Sequence, residues 1–151
     1  MDAMVGEILF VDTNVLLTAT DVLRPSHLEA QRIFSKASQQ GFHLALSGQI
    51  LREYLAVATR PVDANGLGLT VPDAVANVER FLEFANLFEE TEEVALRLRE
   101  LAKSLDVRGP RLHDANIVAT MLVHRIPVLV TQNSKDFIGF GGIETLAIDD
   151  I

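Results

Sequence analysis

Cysteine is absent from this 151-residue sequence, which excludes disulfides, thiolate metal sites and cysteine nucleophiles together. The absence also fits a reducing, cytoplasmic setting. Tryptophan is missing and there is a single tyrosine, so little is available for stacking against nucleic-acid bases. Positive charge is scarce: 13 Lys and Arg stand against 21 Asp and Glu, a net charge of −8. That argues against holding nucleic acid through bulk positive charge. No apolar run approaches the roughly 18–20 residues of a membrane span. Asp2 and Glu7 come early and no basic residue precedes Arg24, which argues against a secretory signal. A serine-hydrolase elbow, Gly-x-Ser-x-Gly, is lacking. Gly66-Leu67-Gly68 has neither the preceding strand nor the following Lys-Ser/Thr of a phosphate loop.

What is present is an ordinary globular composition, 48% apolar and 23% charged. The length suits one domain over residues 1–151, able to bury about 70% of its unfolded surface without staples. Ile8-Leu9-Phe10-Val11 reads as a buried strand, ended by the turn-prone Asp12-Thr13-Asn14. Leu28, Ile33, Phe34 and Ala37 mark a helix face that Gly41 closes. Residues 42–46 predict a second strand, and Ser47 caps a helix carrying Ile50, Leu51, Tyr54, Leu55, Val57 and Ala58. A loop over 61–71 leads to a helix near Pro72-Asp73, with Val75, Val78, Phe81, Leu82 and Ala85 as its buried side. Leu87-Phe88 predicts a short strand, and Thr91 caps a helix whose core face is Val94, Leu98, Leu101, Ala102 and Leu105. A helix over 113–125, a strand over 128–131 and a weak strand over 144–148 complete the chain. Strands alternating with helices imply an α/β fold with a mainly parallel sheet flanked by helices.

In such a sheet, ligands bind beyond the carboxyl ends of the strands. Asp12 follows the first strand, Asn133 and Asp136 follow the strand over 128–131, and Asp114 lies in the first turn of the helix leading into that strand. Glu53 sits inside a helix among Ile50, Leu51, Tyr54 and Leu55, where a buried carboxylate needs a partner. Converging carboxylates repel one another unless a cation sits between them. With oxygen ligands and no thiol, the expected occupant is Mg2+ or Mn2+. Such an ion activates water and clamps phosphoryl oxygens, and the matching reaction is phosphodiester hydrolysis.

These residues resemble the PIN domain family in order and spacing: Val11-Asp12-Thr13-Asn14, Leu51-Arg52-Glu53-Tyr54-Leu55, Leu112-His113-Asp114-Ala115, and Val130-Thr131 through Asp136-Phe137. The resemblance covers nearly the whole chain and is strongest to the small VapC-type toxins of type II toxin–antitoxin pairs. It implies a three-layer fold and a Mg2+- or Mn2+-dependent endoribonuclease, homodimeric and inhibited by a cognate antitoxin. Carried over by position, Asp12, Glu53 and Asp114 would be the metal-binding acids. Thr13, Asn14 and Thr131 would support them. The family often has a fourth acid where this chain has Asn133, which leaves Asp136 as a substitute and a second ion in doubt. The resemblance adds tRNA as one candidate substrate.

Plainer readings stand beside these. Asp12 suits a turn, Asp114 suits the positive end of a helix, and Glu53 suits a solvated helix face shared with Gln49 and Arg60. His113 reads as a surface or packing residue, and the acidic run from Glu89 to Glu93 as a helix start. Arg60, Arg111 and Lys135 are the candidates for contacting RNA phosphates, with Arg108 further out, and Phe137 and Phe140 are candidate base platforms. An RNA with an exposed single-stranded loop is the expected target. An antitoxin would lay a helix in an apolar groove near 28–37 and 50–58, where Leu28, Ile33 and Tyr54 lie, and cover the acids with a basic side chain. The rival is a PIN-type module that binds RNA or protein without cutting, favoured only by Asn133. A dehalogenase-like phosphatase using Asp12 would need a second acid at position 14, which is Asn.

Overall fold

A computed structural model describes residues 6–151. Five strands form one sheet in the order β3-β2-β1-β4-β5, every neighbouring pair parallel: β1 (Ile8–Val11), β2 (His43–Ser47), β3 (Ala85–Phe88), β4 (Val128–Val130) and β5 (Glu144–Leu146). Leu9, Phe10 and Val11 are fully buried, as are Leu129 and Val130. Their unbroken apolar runs are what strands covered on both faces require. Phe10 pairs in register with Ala45 on one side and Leu129 on the other, so β1 is the centre of the sheet.

The helices are α1 (Thr13–Thr20), α2 (His27–Gln40), α3 (Gly48–Thr59), α4 (Val71–Phe84), α5 (Glu92–Leu105) and α6 (Arg111–Val123). From β1 to β2 to β3 the chain steps one way across the sheet, then returns through α5 and α6 to β4 on the other side of β1. Right-handed crossovers in opposite directions put α1–α4 on one face and α5–α6 on the other. The contacts agree, since α1–α4 pack among themselves and α5 packs with α6. The result is a three-layer α/β fold. The strand order reverses between β1 and β4, and the crevice at that reversal is where such sheets hold ligands.

Side-chain caps close three of the six helix starts, at Asp12, Ser47 and Thr70, whereas Thr91, expected to cap α5, stands at its N-cap without a side-chain bond to it. Ser47 and Thr70 cap α3 and α4, accepting from Ile50 N–H at 3.5 Å and Asp73 N–H at 3.2 Å. Gly41 ends α2 at φ 77°, and its N–H donates to the Ala37 carbonyl. Tyr54, fully buried, ties three helices: its hydroxyl meets Thr20 Oγ1 at 2.9 Å and accepts from Asn77 Nδ2 at 3.1 Å.

Several expectations need correction. Asp12-Thr13-Asn14, read as a turn, opens helix α1 over Thr13–Thr20, a helix the sequence pattern does not predict. Val15, Leu16, Leu17, Thr18 and Ala19 are all buried, so the helix lacks the polar stripe that would reveal its period. Ala74, not the exposed Val75, is the buried residue of α4, and Leu105 at the end of α5 is exposed. Ala85 belongs to β3. Ile33 and Tyr54 are sealed in the core and line no open groove. A groove of about 470 Å³ lies instead among α1, α2 and α4, where Phe34, Phe81 and Phe84 alternate with the polar Gln31, Asn77 and Arg80. No helix among the described residues is long and apolar enough to cross a membrane.

Candidate active site

Asp12 leaves the end of β1 and is the N-cap of α1. Its Oδ1 accepts from Thr13 N–H at 2.8 Å, and its Oδ2 accepts from Thr131 Oγ1 at 2.8 Å and Asn14 Nδ2 at 3.4 Å. The carboxylate is thus strapped across the β1–β4 reversal by the two strand ends that form it. Asn14 also donates to Thr131 Oγ1 at 3.3 Å and accepts from Gln132 N–H at 3.2 Å, while Asn133 N–H donates to Thr131 Oγ1 at 3.0 Å. Thr13, Asn14 and Thr131 therefore surround Asp12 directly.

Glu53 reaches this cluster from α3. Thr13 Oγ1 donates to Glu53 Oε2 at 3.1 Å, and Gln49 Nε2 donates to Glu53 Oε1 at 2.9 Å. Glu53 is half-buried and held at both oxygens, not spread along a solvated face. Asp114 sits in the first turn of α6, and Asp136 in the turn Ser134–Phe137 beyond β4.

Asp12 and Asp114 feel the charge of their acidic neighbours. Burial pushes the Asp12 carboxyl above its ordinary range, hydrogen bonds from Thr131 and Thr13 pull it back, and Glu53 and Asp136 push it up again. Burial also raises Asp114, to about 6, with Asp136, Asp12 and Glu53 adding repulsion and Arg111 alone opposing them. This is an acidic rim short of positive charge. Its donors are all oxygen, the set that suits a hard divalent cation. Among the described residues, no three His, Cys, Asp or Glu side chains are already gathered tightly enough to enclose an ion.

The basic candidates separate. Arg111 opens α6 beside the acids, its Nη2 donating to the Asp136 carbonyl at 3.4 Å and its guanidinium 5.3 Å from the Phe140 ring centre. Lys135 is exposed in the same turn as Asp136. Arg60 is the C-cap of α3, about 10 Å of helix rise beyond Glu53. Arg108 is paired with Asp106 at 2.8 Å. Phe137 and Phe140 are 3% and 5% exposed, so they pack inward and offer no platform to a base. His113 contributes through its backbone carbonyl, which accepts from Gln49 Nε2 at 2.8 Å.

The acidic run also has a different use from a simple helix start. Glu90 precedes α5, and its carboxylate accepts from Gln49 N–H at the first turn of α3 and from Asn116 Nδ2 on α6. Gln49, Glu90 and Asn116 escape a reading of motifs. The one local signal is that Gln49 precedes Glu53 by one helical turn.

Similarity to known proteins follows the same outline. The VapBC2 complex from Rickettsia felis, solved bound to a DNA fragment from its promoter, has 16% identity and a TM-score of 0.71, covering 93% of this chain and 98% of that one. A toxin–antitoxin complex from Klebsiella pneumoniae has 23% identity and a TM-score of 0.63, covering 95% and 99%. A VapC toxin from Mycobacterium tuberculosis that cleaves the sarcin–ricin loop has 18% identity and a TM-score of 0.64, covering 89% and 98%. At these identities the likeness is one of fold. No curated protein matches by sequence. The profile of the PIN domain matches residues 9–140, a span that holds every acid of the rim, and the chain belongs to the PIN domain family.

Proposed function

We propose that this protein is a metal-dependent endoribonuclease, the toxin of a toxin–antitoxin pair. The observation that carries this reading is that Thr13, next to Asp12, holds Glu53 at the sheet reversal while Asp114 and Asp136 lie on the same rim, with Asp12 and Asp114 raised by burial and by the charge of neighbouring acids. Asp12, Glu53 and Asp114 would hold Mg2+ or Mn2+, with Asp136 beside them. A divalent ion there would lower the pKa of water and offset charge on a phosphoryl oxygen.

The rest falls to the chain itself. Thr131, Thr13 and Asn14 fix the Asp12 carboxylate, and Thr13 and Gln49 fix Glu53. Arg111 and Lys135 flank the acids and would receive the phosphates next to the scissile bond, giving the local positive charge that a chain of net charge −8 otherwise lacks. Asn133 can orient water but adds no charge. Phosphate contacts of this kind are sequence-independent; selective cutting would fall on an exposed single-stranded loop of a structured RNA, and the family resemblance adds tRNA as a candidate.

The solved proteins of this fold that are toxin–antitoxin complexes support an antitoxin partner. The groove among α1, α2 and α4 would take a helix of that partner. A homodimer and a cytoplasmic site of action complete the reading.

The test is a labelled total RNA pool incubated with protein freed of any bound partner. Cutting at discrete positions with Mg2+ or Mn2+, stopped by a chelator, is the expected outcome. RNA binding that survives chelation without any cutting would transfer the conclusion to a non-cleaving PIN module.

A further inference from the structure

Gln49 occupies an unusual place. It is 1% exposed, an uncharged polar side chain in the core, at the first turn of α3. Every polar group of its side chain is used. Nε2 donates to Glu53 Oε1 at 2.9 Å and to the His113 carbonyl at 2.8 Å, and Oε1 accepts from Asn116 Nδ2 at 2.7 Å. Its backbone N–H donates to Glu90 Oε2 at 2.8 Å. The amide thus bridges α3 and α6 over the carboxyl edge of the sheet, between the helices that carry Glu53 and Asp114.

The direction of the amide is dictated from outside the acidic rim. Glu90 as a carboxylate only accepts, so Asn116 must turn its NH2 toward Glu90 Oε1, which it meets at 2.7 Å. The same NH2 reaches Gln49 and can be met only by the Gln49 carbonyl oxygen. That leaves the Gln49 NH2 facing Glu53, another acceptor, and the His113 carbonyl. A carboxylate at each end forces one orientation on both amides between them.

We propose that Gln49 is a positioning residue that holds Glu53 in register with the Asp114 segment, and that Glu90, through Asn116, sets the direction in which it does so. The role rests on the reading of Glu53 and Asp114 as metal-binding acids. Polar groups that orient metal ligands from behind typically change metal affinity or activity by about 10–100-fold when lost.

Binding of Mn2+ by titration calorimetry, with thermal unfolding of the same samples, tests the proposal. Gln49→Met keeps the length of the side chain and removes its hydrogen bonds. It should weaken Mn2+ binding by about 10–100-fold. Glu53→Ala should weaken it at least as much, and the double variant should be no worse than Glu53→Ala alone, because Gln49 acts through Glu53. Glu90→Gln should shift affinity in the same direction by less. If Gln49→Met does not fold, Glu90→Gln and Asn116→Ala carry the test, since both lie on more accessible positions. Unchanged Mn2+ affinity in a folded Gln49→Met, additive losses in the double variant, or unchanged affinity in both substitute variants would overturn the positioning role alone. No Mn2+ binding by the unmodified protein would remove the metal reading, and the positioning role with it.

Discussion

Asp12→Asn is expected to reduce RNA cleavage by at least about 100–1,000-fold and to leave the fold intact. The two halves of that expectation come from different features of the residue. Asn is as good an N-cap as Asp, so the bond from Thr13 N–H and the start of α1 survive. The Thr131 hydroxyl already accepts from Asn14 Nδ2 and Asn133 N–H, so an NH2 in place of Oδ2 meets donors from both Thr131 and Asn14 and costs about one hydrogen bond, roughly 1 kcal/mol. A carboxylate whose pKa is raised by burial is costly to keep ionised at neutral pH. The neutral amide removes that cost, which offsets the lost bond, and the thermal midpoint should stay within a few degrees of wild type. Cleavage rates and melting curves measured on one preparation separate the outcomes. Equal cutting by variant and wild type would place the chemistry elsewhere, and a variant that loses both activity and fold would make Asp12 structural.

Asp114→Asn should move activity and stability in opposite directions. Its carboxyl titrates near 6 in the folded chain against an ordinary value of 3.8. A raised folded pKa means the group favours folding below about 4 and loses that contribution as pH rises through about 6. Without divalent ions, wild type should therefore become less stable across that window, and Asp114→Asn should flatten this part of the profile. Solvent access to the site leaves roughly 1 kcal/mol of the effect, a few degrees in melting temperature for a chain of this size. Adding Mn2+ at pH 7 should reverse the order, because an ion that binds only the folded state stabilises wild type by mass action and the variant far less. RNA cleavage by the variant should fall by about 100-fold or more. Identical pH–stability profiles for the two proteins, or equal stabilisation by Mn2+, would contradict the role given to Asp114.

The pattern of these effects follows how each residue is held, and the sequence exposes that unevenly. β1 and β4 were legible because a strand covered on both faces must be apolar at every position, as Leu9-Phe10-Val11 and Leu129-Val130 are. The placement of Asp12, Asp114 and Asp136 along one rim followed from strand ends and helix starts, which topology alone sends there. Helix α1 was not legible, since burial on nearly all sides erases the period of 3.6 by which helices are read. Glu53 could be placed on a helix, but its direction depends on Thr13 and Gln49, and the first of these is 40 residues away. Glu90 shows the same limit: an acid near a helix start suggests its own dipole, whereas its carboxylate serves the start of α3, 41 residues earlier. Phe137 and Phe140 suggested stacking surfaces by type and location, and only packing shows that they face inward.

The most direct measurement is anomalous scattering from a crystal of the protein soaked in Mn2+, collected to locate the metal itself. A manganese peak ligated by the carboxylates of Asp12, Glu53 and Asp114, beside Asp136, and absent from Asp12→Asn crystals grown and soaked alike, is the predicted result. Full occupancy of Mn2+ elsewhere on the chain with no peak at this rim would contradict it.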